Sequence, residues 1–193
     1  MPSNMPLQNF VTNLLQNNLP SHYYYHNVEH TLYVMDKAIE IGLQEKCTEK
    51  EIGLLQAAAL WHDAGCINTY ANHEEEGCNL AKQYLPGFGY SSPETDIVCG
   101  MIMATKIPHS PKNKLEEIIV DADLEYLGTD KAASKAALLF KELQYLNPAL
   151  TETEWIGLQI SFLQKHHYFT PFCIENREPV RLAYLNKLIT LME

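Results

Sequence analysis

An all-α fold follows from three features of the sequence. Apolar residues recur at the three-and-four spacing of a helix through nearly the whole chain, helix-start residues stand ahead of several of these runs, and no stretch alternates apolar and polar residues as a half-buried strand does. The first run, around Leu7 to Leu15, is a short amphipathic helix that Pro20 ends. From Asn27 onward, Val28, Leu32, Met35 and Ile39 make an apolar stripe opposite the charged Glu29, Asp36 and Glu40, and His30 falls at the margin of the two, beside Val34 and Ile41. Thr48-Glu49-Lys50-Glu51 has the form of a capping box. The helix it starts, IGLLQAAALWHDAG, is apolar on nearly every side and therefore central, with Gly65 expected just past its end. Asn72 with Glu75, and Ser92 with Pro93, mark the next two starts, and the second of these helices stops before Pro108. Beyond the polar loop PHSPKNK, helical spacing resumes over LEEIIVDADLEYLG, Lys131 to Tyr145, Glu152 to Lys165 and Glu178 to Leu191.

Composition narrows the functional classes. With 46% hydrophobic residues among 193, the chain can bury a sizeable core in one compact unit. Its 24 acids against 14 bases leave a formal charge of −10, a field that repels long nucleic acid, and no basic patch interrupts it. Cys47, Cys66, Cys78, Cys99 and Cys173 form no C-x-x-C pair and are odd in number, which fits reduced thiols rather than a disulfide framework. The opening MPSNMPLQNF has no charged region followed by a long apolar run, and nowhere do roughly 18 apolar residues follow one another. A soluble, cytoplasmic protein without membrane contact is expected. A phosphate-cradling glycine loop and a G-x-S-x-G elbow are both missing, against a P-loop nucleoside triphosphatase and a serine hydrolase.

The chemistry-bearing residues begin with His62-Asp63 at the end of the most buried helix. An imidazole and a carboxylate in apolar surroundings need partners to offset their desolvation, and a cation suits the free carbonyls and negative dipole of a helix C-terminus. Alone, the pair reads equally well as a hydrogen-bonded core histidine and a helix-end acid. A second inward acid lies in IIVDADLEYLG. There Lys114, Glu117, Asp121 and Glu125 share a polar stripe, whereas Asp123 shares its side with Val120 and Leu127. His30, His62, Asp63 and Asp123, from three helices, make a mixed nitrogen and oxygen site for a divalent transition metal, with positions left for water and substrate.

YHNVEHTLYV, LWHDAG and DADLEYLG, in that order, resemble the H…HD…D signature of the HD-domain metal-dependent phosphohydrolases, over about Tyr25 to Gly128. The resemblance implies a single HD-type helical bundle over 1–193, with a signature core at 25–128 and additional C-terminal helices at 129–193. It implies His30, His62, Asp63 and Asp123 as metal ligands and hydrolysis of a phosphoester or phosphoanhydride in a small phosphorylated metabolite or nucleotide. Asp63 would also orient the attacking water, whose pKa a bound cation lowers to roughly 7. His26 occupies the place that, in the cyclic-nucleotide phosphodiesterase branch with its similar Y-H-N-x-x-H motif, holds the histidine that protonates the leaving group. It is therefore such an acid, or a neighbour of the ligands.

The same resemblance makes NHEEEG and ATKIPHSP candidate pocket walls, with His73, Glu74, Lys106 and His109 as substrate-binding candidates. Were His73 and His109 both ligands, the centre would hold two metals; one is expected. The pair His166-His167 reads as a helix end packed near Tyr168 and Phe169, since adjacent helical residues point about a hundred degrees apart. Manganese, iron, nickel, cobalt, zinc and magnesium all remain open as the divalent cofactor, and so does association of like chains. The rival readings are a two-iron oxygenase of HD type and a non-catalytic metal-binding regulatory domain.

Overall fold

The computed structural model describes residues 4–192, and the part of the N-terminal leader reading that rests on residues 1–3 lies outside them. Among the described residues are ten α-helices, three short 3-10 helices and no strand, the all-α fold that the periodicity predicts. Two compact units divide the chain: the described part of Met1–Pro20 with His26–Asp123, and Ser21–Tyr25 with the described part of Leu124–Glu193. The first holds α1 (Met5–Asn18), α2 (Val28–Gln44), α3 (Glu49–Trp61), α4 (His73–Tyr84), α5 (Ser92–Ala104) and α6 (Lys114–Asp123). The second holds α7 (Ala132–Leu146), α8 (Glu152–Lys165), α9 (Pro171–Asn176) and α10 (Glu178–Met192).

Helix α3 is the hub of the first unit, as its all-round apolarity requires. Thr48 caps it in the expected box, with the Glu51 carboxylate accepting from the Thr48 N–H at 2.7 Å. Ile52, Leu54, Leu55, Leu60 and Trp61 are buried, each contributing about 1.5–3 kcal/mol by leaving water, and α2, α5 and α6 pack around it. Small residues set the spacing: Ala57, Ala58 and Ala59 are fully buried, and a Cβ on Gly42 of α2 would stand 2.7 Å from Ile52 Cδ1. The Trp61 ring stacks on Tyr84 of α4 at 5.7 Å, and Phe10 of α1 packs against Tyr84 and Phe88, which ties the first helix to the hub.

Five local expectations are corrected. The buried face of α2 carries His30, Thr31, Val34, Met35, Ala38 and Ile41, so His30 lies within that face rather than at its margin, while Val28, Leu32 and Ile39 are only half-buried. α3 ends at Trp61, and Gly65 follows in a 3-10 turn, Ala64–Ile67. Its role is proximity, because a Cβ there would collide with the backbone carbonyl oxygen of His73. The cap of α5 is Ser91 rather than Ser92; the Glu94 carboxylate accepts from Ser91 N–H and Oγ–H at 2.9 and 2.6 Å. Asp121 is fully buried, not on a solvated stripe, because α6 is covered by α2, α3 and α5. Helix α6 also stops at Asp123, and Glu125–Gly128 continues as a 3-10 helix.

In the second unit, Glu125 is likewise buried, its carboxylate 2.5 Å from Arg177 Nε, and Glu142 accepts from the Tyr25 N–H at 2.8 Å. Both of these buried carboxylates have a donor, as burial demands. The short α9, unforeseen from spacing, starts where Thr170 Oγ1 accepts from the Cys173 N–H and Pro171 occupies the first turn.

Candidate metal centre

Two histidine rings of the site are held by carbonyls of nearby backbone. His62 follows the last turn of α3, and its Nδ1 lies 2.8 Å from the Ala59 carbonyl oxygen. A carbonyl only accepts, so Nδ1 carries a hydrogen, and Nε2, the nitrogen that a neutral ring would offer as a lone pair, faces inward. His73, the first residue of α4, repeats the device with the Tyr70 carbonyl at 2.9 Å. Asn27 caps α2 as the sequence suggests, its Oδ1 accepting from the His30 N–H at 3.0 Å, which sets His26 just before the helix and His30 in its first turn.

The side chains converge. His30 Nε2 lies 3.0 Å from Asp123 Oδ1 and 3.5 Å from Asp63 Oδ2. His62 Nε2 lies 3.0 Å from Asp63 Oδ2 and 3.6 Å from Asp123 Oδ1. On the other side of the same carboxylate, Asp63 Oδ1 lies 3.4 Å from His73 Nε2. The 3.0 Å approach of His62 Nε2 to Asp63 Oδ2 makes no hydrogen bond, and both atoms are buried without one. Buried polar atoms are seldom left so, and two nitrogens and two oxygens aimed at one space fit a divalent cation. Within the first unit, the ligand atoms of His30, His62 and Asp123 lie within 4.8 Å of one another, a group able to hold a metal ion.

Charge follows the same geometry. Burial pushes the Asp63 carboxyl up, but His62 and His26 outweigh it and hold it well below the ordinary carboxylate range. Asp123 is likewise depressed, burial being overcome by His30 and His62. Burial lowers the His62 imidazole, yet Asp63 and Asp123 raise it to about 10. His73, also opposed by burial, is lifted to about 12 by Asp63 and Cys66. Without a cation, protons on the imidazoles balance the carboxylates.

Comparison with known proteins fits this arrangement. The chain matches the HD domain over residues 27–125, a span that opens at the cap of the His30 helix and closes two residues after Asp123. The chain belongs to the HD-domain family. HD domains bind divalent metals, and the superfamily is one of metal-dependent hydrolases. The chain is also similar in fold to the crystal structure of a predicted HD superfamily hydrolase from an uncultured Thermotogales bacterium, with 22% identity, a TM-score of 0.60, and coverage of 96% of this chain and 92% of that one. No curated protein matches.

The other candidates of the HD domain divide. His26 and His73 stand with Asp63, their ring centroids 5.5 Å apart. Glu74 is buried beside His73, its Oε1 3.7 Å from Nε2. Lys106 is turned to the start of α4, where its Nζ lies 2.5 Å from Glu75 Oε1 and donates to Asn72 Oδ1 at 3.0 Å. His109, half-buried after Pro108, joins neither ligand group among the described residues. His166 stacks on Phe162 at 5.6 Å, and His167 packs on Phe169 at 4.8 Å, the helix-end packing expected of that pair. Two contributors escaped the sequence reading. Tyr70 offers its carbonyl to His73 and its ring edge-on to His26, and Cys66 helps to raise the His73 imidazole. Neither stands in a recognisable motif, because each acts through the fold of the 3-10 turn and the loop after it. No helix among the described residues is long and apolar enough to cross a membrane.

Proposed function

We propose that this HD domain is a metal-dependent phosphohydrolase acting on a small phosphorylated metabolite or nucleotide. The observation that carries the reading is the buried pair His62 Nε2 and Asp63 Oδ2, aimed with His30 Nε2 and Asp123 Oδ1 at one space and left without hydrogen bonds of their own. His30, His62, Asp63 and Asp123 are its metal ligands. A divalent cation there lowers the pKa of water and offsets charge on non-bridging phosphate oxygens.

The chain's own residues do the positioning. The Ala59 carbonyl fixes the His62 tautomer, and the Asn27 cap fixes the first turn that carries His30, so neither ring must reorganise as charge develops. Asp63, whose two oxygens face different histidines, is placed to orient a water. His26 and His73 bring the imidazoles on the Oδ1 side, where a phosphate would otherwise meet an acidic chain.

Phosphate release from phosphomonoesters, cyclic nucleotides and nucleoside di- and triphosphates, with manganese added, tests this. Turnover by the wild type and none by Asp63→Ala is the expected result. Metal bound by the wild type with no phosphate released from any member would sink the reading. The ligand group on the far side of Asp63 favours one other, oxidation at a two-iron centre, and dioxygen uptake by the iron-loaded protein would favour it instead.

A further inference from the structure

We propose that Cys78 of α4 and Cys99 of α5 form a reversible disulfide when the protein meets hydrogen peroxide, a modification site outside the metal centre that ties the two helices together. In the resting protein both are thiols, as the cysteine pattern predicts. The proposal does not depend on the phosphohydrolase reading.

Helices α4 and α5 pack on one another within the first unit, and these two cysteines, 21 positions apart in the chain, meet in that interface. The contact is reciprocal. Cys78 Sγ donates to the Cys99 carbonyl oxygen at 3.4 Å, and Cys99 Sγ donates to the Cys78 carbonyl oxygen at 3.7 Å. Each sulfur thus reaches the other residue's own backbone, the kind of close approach that a disulfide demands of its two Cα atoms, about 4.4–6.8 Å apart. The bond requires each side chain to turn about Cα–Cβ, from carbonyl to sulfur, and the S–H bonds given up in that turn are weak ones. Cys78 and Cys99 keep 6% and 7% of their surface, against 1% for Cys66 and 0% for Cys173. Hydrogen peroxide is small enough for so narrow an opening.

The two thiols are unlike, as an attacking and a resolving cysteine are. The neighbouring Cys78 thiol lowers Cys99 against the burial that raises it, and the Lys82 charge adds to that lowering. Cys78 is pushed up by Cys99 and by burial. Cys99 is therefore the nucleophile. Its thiolate sulfur attacks one oxygen of hydrogen peroxide, the O–O bond breaks, and the departing hydroxide takes up a proton and leaves as water, which gives a sulfenic acid at Cys99. The Cys78 thiol then loses its proton, its sulfur attacks the Cys99 sulfur, and the S–O bond breaks as a second water leaves. Two thiols and one peroxide become one disulfide and two waters, and an added dithiol restores the pair by exchange. Cys78 follows Gly77, where a Cβ would stand 2.7 Å from the Trp61 carbonyl oxygen and 3.3 Å from that of His62. A bond at Cys78 clamps to a second helix the element that carries His73 and Glu74 to the end of α3.

To test this, the full chain is reduced, desalted and treated with a small molar excess of hydrogen peroxide. Its thiols are then counted in denaturant and its peptides mapped by mass spectrometry without reduction. The expected result is a fall from five thiols to three, with a linked pair of peptides holding Cys78 and Cys99, and recovery of all five with dithiothreitol. The oxidised protein should melt about 5 °C higher than the reduced one. Cys78→Ser should stop at a Cys99 sulfenic acid that dimedone traps, and Cys99→Ser should consume peroxide about 10-fold more slowly than the wild type, or worse. Five thiols remaining after treatment, a disulfide between any other two cysteines, or a Cys78–Cys99 link that forms only when the chain is treated in denaturant would overturn the proposal. The wild-type map decides the matter even if neither variant folds.

Discussion

His62 Nε2 and Asp63 Oδ2 belong to adjacent residues, lie 3.0 Å apart in the buried end of α3, and share no hydrogen bond. His30 Nε2 lies 3.5 Å from the same Asp63 oxygen, and Asp123 Oδ1 lies 3.6 Å from the same His62 nitrogen. On the proposed reading, removing any of these groups removes a ligand rather than a contact. His62→Ala and Asp123→Asn should each weaken manganese binding about 100-fold or more in isothermal titration. Unchanged affinity in either variant would mean that the ion sits elsewhere. In the wild type, free manganese at about 100 times its dissociation constant should add about 2.7 kcal/mol of stability, visible as a rise in Tm that His62→Ala abolishes.

Metal uptake should release protons. Asp63 and Asp123 lift the His62 imidazole to about 10, and Asp63 with Cys66 lifts His73 to about 12, against the burial that opposes both. At about pH 8 both rings are charged without a cation, and a ring that serves as a ligand would have to lose a proton to bind one. Titration heats should therefore vary with the ionisation enthalpy of the buffer, by about one proton per imidazole ligand, and affinity should rise with pH. Heats independent of the buffer would mean that both rings are already neutral before the ion arrives.

Acid should unfold the metal-free protein through the same carboxylates. Asp63 and Asp123 are held below the ordinary value of 3.8, so their contribution to stability is complete above that pH and is lost as pH falls through their lower folded values. Urea midpoints of the metal-free wild type should hold steady down to about pH 4 and drop below it. Asp123→Asn should flatten that drop, and a variant that follows the wild-type curve would exclude Asp123 as its source.

The glycines at the α3–α4 crossing give a steric prediction. Gly65→Ala and Gly77→Ala each place a Cβ against backbone, which cannot rotate away, and should cost about 1–3 kcal/mol in urea unfolding. Gly53→Ala, in the same core helix but with open space at its Cβ, should stabilise by about 0.5–1 kcal/mol. Equal effects at all three positions would show that the close approach of α4 does not constrain the chain.

Much of this was legible in the amino-acid order alone. Helical periodicity, the Thr48 box and the Asn27 cap depend on residues within a turn or two of one another, so the sequence by itself determined an all-α chain, the central place of α3, and the positions of His30, His62, Asp63 and Asp123 on or at the ends of helices. Local pattern failed where polar side chains are buried. Asp121 falls on a polar stripe by spacing and His30 at the margin of one, yet both lie inside, because their surroundings come from helices far away in the chain. Only the tertiary structure decided that Asp63 turns its second oxygen toward His73, that His26 rather than His109 stands beside it, and that Lys106 is engaged by Glu75 and Asn72. Those relationships depend on how closely α4 can approach the end of α3, which Gly65 and Gly77 permit, and a distance between helices is not a property of either helix's own sequence.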